Sequence, residues 1–179
     1  MKNFLKVFIL SAGLILCFNA KSFAEDIDVA VYGGYVFSGD FGLADWTGFQ
    51  GGLKGHYNIP LGTINLGLGL YFQYQKIDYE LDFFGLGKLE DSLGRTSVGL
   101  DVNILVPMEA FNPYVRLTWA FYDDFDGETE NNFKQYGIGI GAEIPVSTVK
   151  LFGEFMYENT TADDDFSGLG VNVGVKFDL

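Results

Sequence analysis

Cysteine is almost missing from this 179-residue sequence: there is one, Cys17, and it lies in the N-terminal segment. Histidine is as scarce, with His56 alone, and there are only 4 prolines. Beyond the N-terminus no apolar run is long enough for a membrane-spanning helix. Positive charge is also in short supply, with 11 Lys and Arg against 24 Asp and Glu, a net charge of -13. That sign argues against nucleic acid, and against an anionic lipid surface, as electrostatic partners.

What is there is apolar, aromatic and rich in glycine: 48% hydrophobic, 17% aromatic, 24 glycines. Such a chain is too apolar for disorder and long enough for one domain with a sizeable core. The first residues have the layout of a secretory signal peptide. Lys2 and Lys6 are basic, 7–18 is apolar, and Ser22 and Ala24 are small residues before Glu25. The expected division is a signal peptide over 1–24 and a single domain over 25–179. Leu16 is too large for the small residue expected before a lipidated cysteine, so Cys17 leaves with the peptide. Without it there is no disulfide, thiolate nucleophile or cysteine-based metal site.

The remainder alternates with period 2. In the last strand, 168–179, Leu169, Val171, Val173, Val175, Phe177 and Leu179 share one face. Gly170, Asn172, Gly174, Lys176 and Asp178 share the other. An apolar and a polar environment on opposite faces is the mark of a strand between two media. The pattern recurs seven times upstream, over about 27–37, 47–59, 64–75, 95–106, 113–122, 134–144 and 149–158. Short connections (60–63, 107–112, 145–148) alternate with longer, acidic ones (38–46, 76–94, 123–133, 159–167). This is the asymmetry of up-and-down transmembrane barrels, with short periplasmic turns and long outer loops. An open sheet would leave edges unsatisfied in lipid, so the last strand must pair with the first. The expected fold is all-β, an eight-stranded antiparallel up-and-down transmembrane β-barrel.

A lipocalin-like soluble barrel would place the apolar face inside. Glycine and small or paired residues dominate the polar face here, which suits a narrow lumen. On the apolar face Tyr35, Phe37, Phe49, Phe72, Tyr74, Phe121, Tyr136, Phe155 and Tyr157 gather at the long-loop ends. They are expected to form an interfacial girdle.

From Asn172-Val173-Gly174-Val175-Lys176-Phe177-Asp178-Leu179 the chain resembles the small eight-stranded outer-membrane barrels of Gram-negative bacteria. These are the OmpA transmembrane-domain, OmpX and opacity-like group, counted among porin-family proteins of the cell envelope. The segment is similar to the signal such barrels present to the outer-membrane insertion machinery, with Asn172, Gly174, Phe177 and Leu179 at the matching positions. Leu179 departs from the Phe that ends many members. The resemblance implies localisation in a bacterial outer membrane among its lipid and lipopolysaccharide. OmpA-type proteins continue into a peptidoglycan-binding domain, and that activity is not implied.

Little points to chemistry. Gly137, Gly139 and Gly141 precede no helix, so they make no phosphate cradle. His56 sits toward a short turn, away from the outer leaflet where a lipid-modifying enzyme would need it, and no triad is evident. No catalytic, cofactor or metal residue is assigned, and no enzyme activity is expected. The acidic loops offer Asp124-x-Asp126-Gly127-x-x-Glu130 and Asp163-Asp164-Asp165 as places where a surface ligand or divalent cations would bind, but neither has calcium-loop spacing. A solvated loop is the simpler account. On the polar face Asp28, Lys54, His56, Arg95, Asp101, Arg116, Glu143, Lys150, Glu154 and Lys176 are expected to form a lumen charge network, because buried charge is costly unless paired. Hairpin symmetry pairs Glu143 with Lys150, Asp101 with Arg116, Glu154 with Lys176 and Asp28 with His56. The expected role is structural or in cell-surface interaction. The alternatives are a narrow small-solute channel and, behind it, a lipid A-modifying enzyme.

Overall fold

The computed structural model describes residues 27–41, 44–82, 88–125, 135–160 and 166–179. The proposed signal peptide and both aspartate motifs lie wholly or largely outside them. The strands are β1 (Ile27–Phe41), β2 (Ala44–Leu61), β3 (Ile64–Asp82), β4 (Lys88–Leu105), β5 (Asn112–Phe125), β6 (Gln135–Val146), β7 (Val149–Thr160) and β8 (Phe166–Asp178). Each pairs antiparallel with its neighbour in sequence, and β8 closes on β1. The Leu179 amide donates to the Ile27 carbonyl at 2.9 Å, completing the seam. The eight-stranded barrel predicted from the alternation is therefore the observed fold, and full closure leaves no ladder edge in lipid. Two short connections are tight turns, one carrying Gly62 at φ 72° and the other Ser147 at φ 57°.

The strands run further than alternation alone suggests. β3 and β4 stay in register out to Asp82 opposite Lys88, through the stretch expected to be a loop. Ladder bonds do not depend on side-chain polarity, so a hairpin continues as a ribbon past the apolar belt. Among the described residues, the acidic segments 38–46 and 76–94 are thus strand. At one level Asp40, Asp45, Glu80 and Glu90 are consecutive register partners across β1 to β4.

A register shift in β5 has the larger consequence. Val98 pairs with Tyr122 while Gly99 pairs with Ala120, so Phe121 is the extra residue of a bulge. Beyond it the alternation inverts. Tyr122 leaves the polar face expected for it, and Asp123, expected in a loop, turns into the lumen and is 2% exposed.

The barrel is inside out relative to a soluble one. All nine aromatics of the expected girdle face outward and are exposed. Among them Tyr35 and Phe49 pack edge to face at 5.0 Å. The interior holds Asp, Glu, Lys, Arg, Gln and Asn side chains.

Candidate functional site

The alternation of each strand delivers a polar side chain to the lumen at every second residue, and these side chains fill it. In the half nearest the short turns, His56 on β2 lies between two carboxylates. Its Nδ1 is 2.9 Å from Asp28 Oδ1 and its Nε2 3.2 Å from Asp101 Oδ1. Both ring nitrogens can serve a carboxylate only when both carry hydrogen, as in the imidazolium. Lys176 bridges Asp28 and Glu143. Asn58 donates to the other Asp28 oxygen at 2.8 Å.

At mid-lumen Arg116 joins two acids, reaching Asp101 Oδ2 at 2.7 Å and Glu154 Oε1 at 2.6 Å. Glu154 also accepts from Lys54 at 3.0 Å and from the Tyr114 hydroxyl at 2.8 Å. Lys54 lies 4.2 Å from the Phe152 ring centre, so an aromatic face covers the stem and part of the charge. Gly174 makes room for that ring: a Cβ there would press on Phe152 and on the Val31 carbonyl.

Above this tier amides carry most of the links, with one ion pair among them. Asn172 donates to Glu154 at 3.1 Å and accepts from Gln50 at 2.7 Å. Gln50 accepts from Gln75 at 2.6 Å. Gln73, Gln75 and Gln135 each place an amide nitrogen 3.0 Å from the Glu158 carboxylate. Arg95 donates to Gln75 at 3.1 Å and clasps Asp123 through Nε at 2.9 Å and Nη2 at 2.6 Å. One hydrogen-bonded and ion-paired network thus runs the length of the lumen.

The long-loop end is closed by apolar groups. Val36, Trp46 and Ile77 form a buried cluster, with Tyr79 and Leu93 packed against it. The Trp46 ring occupies the space where Gly39 and Gly168 lack a side chain, and its Nε1 donates to the Ser167 carbonyl at 3.0 Å.

Nine of the ten residues expected in the charge network are buried, and Lys150 is not. It sits at the turn-side rim, paired with Asp178 at 2.8 Å. Asp28 meets His56, and Asp101 meets Arg116. The other two expected pairs are corrected. Glu143 opposes Phe152 and binds Lys176 instead of Lys150. Glu154 opposes Asn172, while Lys176 opposes Lys150. The β7–β8 hairpin is centred on residue 163, the midpoint of the loop expected over 159–167, and that centre puts Asn172, not Lys176, opposite Glu154. Around the other turn β6 runs on to Val146, which narrows the turn to 147–148 and puts Phe152 opposite Glu143. Of the residues matched to the insertion signal, Asn172 and Gly174 point inward, whereas Phe177 and Leu179 are exposed outside.

The amide tier, Trp46 and Asp123 escaped sequence reasoning. Gln73, Gln75 and Gln135 were visible as polar-face residues, but neutral amides give no pairing signal. Glu158 carried the right alternation and stood at a strand end.

No protein-family model and no curated protein matches the chain. Solved structures do. The chain is similar to Neisserial surface protein A at 13% identity and TM-score 0.59, covering 86% of this chain and 97% of that one. It also matches Ail, the attachment invasion locus protein of Yersinia pestis, at 16% identity and TM-score 0.44, over 86% and 99% of the two chains. The N-terminal barrel of Pseudomonas aeruginosa OprF matches at 14% identity and TM-score 0.38, over 86% and 98%. At these identities the likeness is one of fold: a small outer-membrane β-barrel.

Proposed function

This chain is an eight-stranded barrel of the outer-membrane type, and from that premise we propose that it is a closed structural scaffold presenting its long-loop end for interaction at the cell surface. It sits in a bacterial outer membrane with its apolar belt in the hydrocarbon. The observation that carries the proposal is the filled lumen. Charged and amide side chains bond to one another from Asp28 to Asp123, and the apolar cluster around Trp46 lies at the loop end. An eight-stranded barrel has an interior just wide enough for side chains to fill. A solute would have to break paired buried charges to pass, which is costly.

The reading gives the chain no catalytic role. His56 is engaged at both nitrogens by carboxylates deep in the turn-side half, not beside a nucleophile at the outer leaflet. The acidic ribbon of β3 and β4, extending beyond the belt, is the surface on offer to a partner. The protein reconstituted in planar bilayers should show no steady conductance. Trimming 78–92 should abolish any surface binding while the barrel still assembles. Steady, ion-selective conductance in the untrimmed protein would replace the scaffold reading with that of a narrow channel.

A further inference from the structure

The lipid-facing wall carries an open apolar depression of about 810 Å³, spread over the outward faces of β4 to β8. A barrel wall is convex outside, so a hollow in it needs a local cause. The cause is one ladder pair, Ala142 opposite Gly153. The next outward pairs along the two strands are Ile140 with Phe155 and Ile144 with Leu151, all four exposed. A row of side chains is thus missing between two ridges. Val115 on β5 and Val173 on β8 border the hollow at its sides.

Depth in the membrane does not account for the gap. In the β2–β3 hairpin the pair equally far from its tight turn is Tyr57 opposite Leu68, both large and exposed. Packing within the barrel does not demand the glycine either. A Cβ at Gly153 would meet nothing nearer than the Asn172 carbonyl at 4.0 Å, whereas Gly141, facing inward, has its space taken by Tyr114. Glycine inside a strand weakens it, and an uncrowded one is a mark of close approach from outside.

The lining says what approaches. Among the described residues that border the hollow, no charged or polar side chain faces it: those of Tyr114, Glu154 and Asn172 are buried in the lumen behind the floor. The hollow is continuous with the apolar belt, which lies in hydrocarbon, so its occupant is apolar. The ridges stand four residues apart, about 13 Å between backbones at the rise of a strand. Their own side chains take part of that width, which leaves too little for a helix of about 10–12 Å. A second copy related by a two-fold axis would bring hollow to hollow and enlarge the gap. A polymethylene chain is slim enough to touch the floor and both ridges at once, making more contacts than on the convex wall.

We propose that this hollow binds one acyl chain of a phospholipid, held in preference to the lipid elsewhere around the belt. It lies in the half of the wall nearer the short turns, which face the periplasm in barrels of this type, so the phospholipid belongs to the periplasmic leaflet. The site rests on the placement of the belt in hydrocarbon proposed above.

The test reconstitutes the whole barrel in nanodiscs of a phospholipid carrying a diazirine partway along one acyl chain. Adducts formed on illumination are mapped by mass spectrometry. They should concentrate on Ile140, Phe155 and Val173 and be several-fold fewer on Leu68, at the matching depth of the opposite wall. Gly153→Leu fills the hollow with a side chain that the backbone has room for. It should remove the excess and leave the labelling of Leu68 unchanged. Even labelling around the belt overturns the site, as does an excess that survives Gly153→Leu. So does the finding of barrel dimers in the discs that Gly153→Leu breaks. A belt that takes no label anywhere overturns the membrane placement itself. Should Gly153→Leu fail to fold, Ala142→Leu and the wild-type map decide.

Discussion

In the turn-side half of the lumen Glu154 is held by Arg116 at 2.6 Å and Lys54 at 3.0 Å, while in the loop-side half Glu158 is held by three glutamine amides at 3.0 Å. Both are buried carboxylates on the same face of β7, four residues apart. The first sits in a set of charges that cancel locally. The second sits among dipoles that do not. Pairing ions demands matched residues from several strands at one level, so each such residue becomes indispensable to its partners. Amides donate and accept at once, so they link carboxylate, guanidinium and one another in a continuous chain. The ionic half should thus be brittle to single substitutions and the amide half more forgiving.

The largest expected effect tests this brittleness. Arg116→Met takes a cationic partner from both Asp101 and Glu154, and loss of one partner from a buried charge set costs about 3–5 kcal/mol. Gln75→Met, in the amide half, breaks hydrogen bonds to Gln50, Glu158 and Arg95 and should cost less, about 1–3 kcal/mol. Urea unfolding of the folded barrel in detergent measures both. Equal losses would erase the contrast.

A smaller effect concerns packing at the loop end against the lipid face. Gly168→Ala drives a methyl into the Trp46 ring and should lower the unfolding midpoint by an amount worth about 1–3 kcal/mol, as overpacking does. Gly153 faces outward, and its nearest obstacle to a Cβ is the Asn172 carbonyl at 4.0 Å. Gly153→Ala should therefore show no loss. A Gly168→Ala protein as stable as wild type would mean that Trp46 is free to move aside.

The smallest effect separates clusters within the ionic half. Glu154 and Lys176 share no partner: one binds Lys54, Arg116 and Tyr114, the other Asp28 and Glu143. Glu154→Ala and Lys176→Ala should add to within about 0.5 kcal/mol in a double-mutant cycle. A larger coupling would show that the chain through His56 transmits strain between them.

The barrel, its strand number and the direction each side chain faces were legible in the amino-acid order. Leu169, Val171, Val173, Val175 and Phe177 against Asn172, Gly174 and Lys176 specify a two-faced strand, because side chains alternate on an extended backbone whatever its neighbours do. The burial of Asp28, His56, Asp101 and Arg116 follows from that alternation. Two of their contacts follow as well, since an arginine side chain is long enough to absorb a small error of register. The tertiary structure decided the rest. Glu154 found Arg116 and Lys54 rather than Lys176 because its ladder partner on β8 is Asn172, while closure of the sheet brings β2 and β5 to it across the lumen. Asp123 came inside because one extra residue at Phe121 inverted the faces beyond it, and a bulge leaves no mark on composition or period until the partner strand is known. Gln135 met Glu158 from the adjacent β6, and Gln73 and Gln75 came to it from β3 across the lumen. Only closure of the sheet into a barrel brings strands so far apart in the chain face to face.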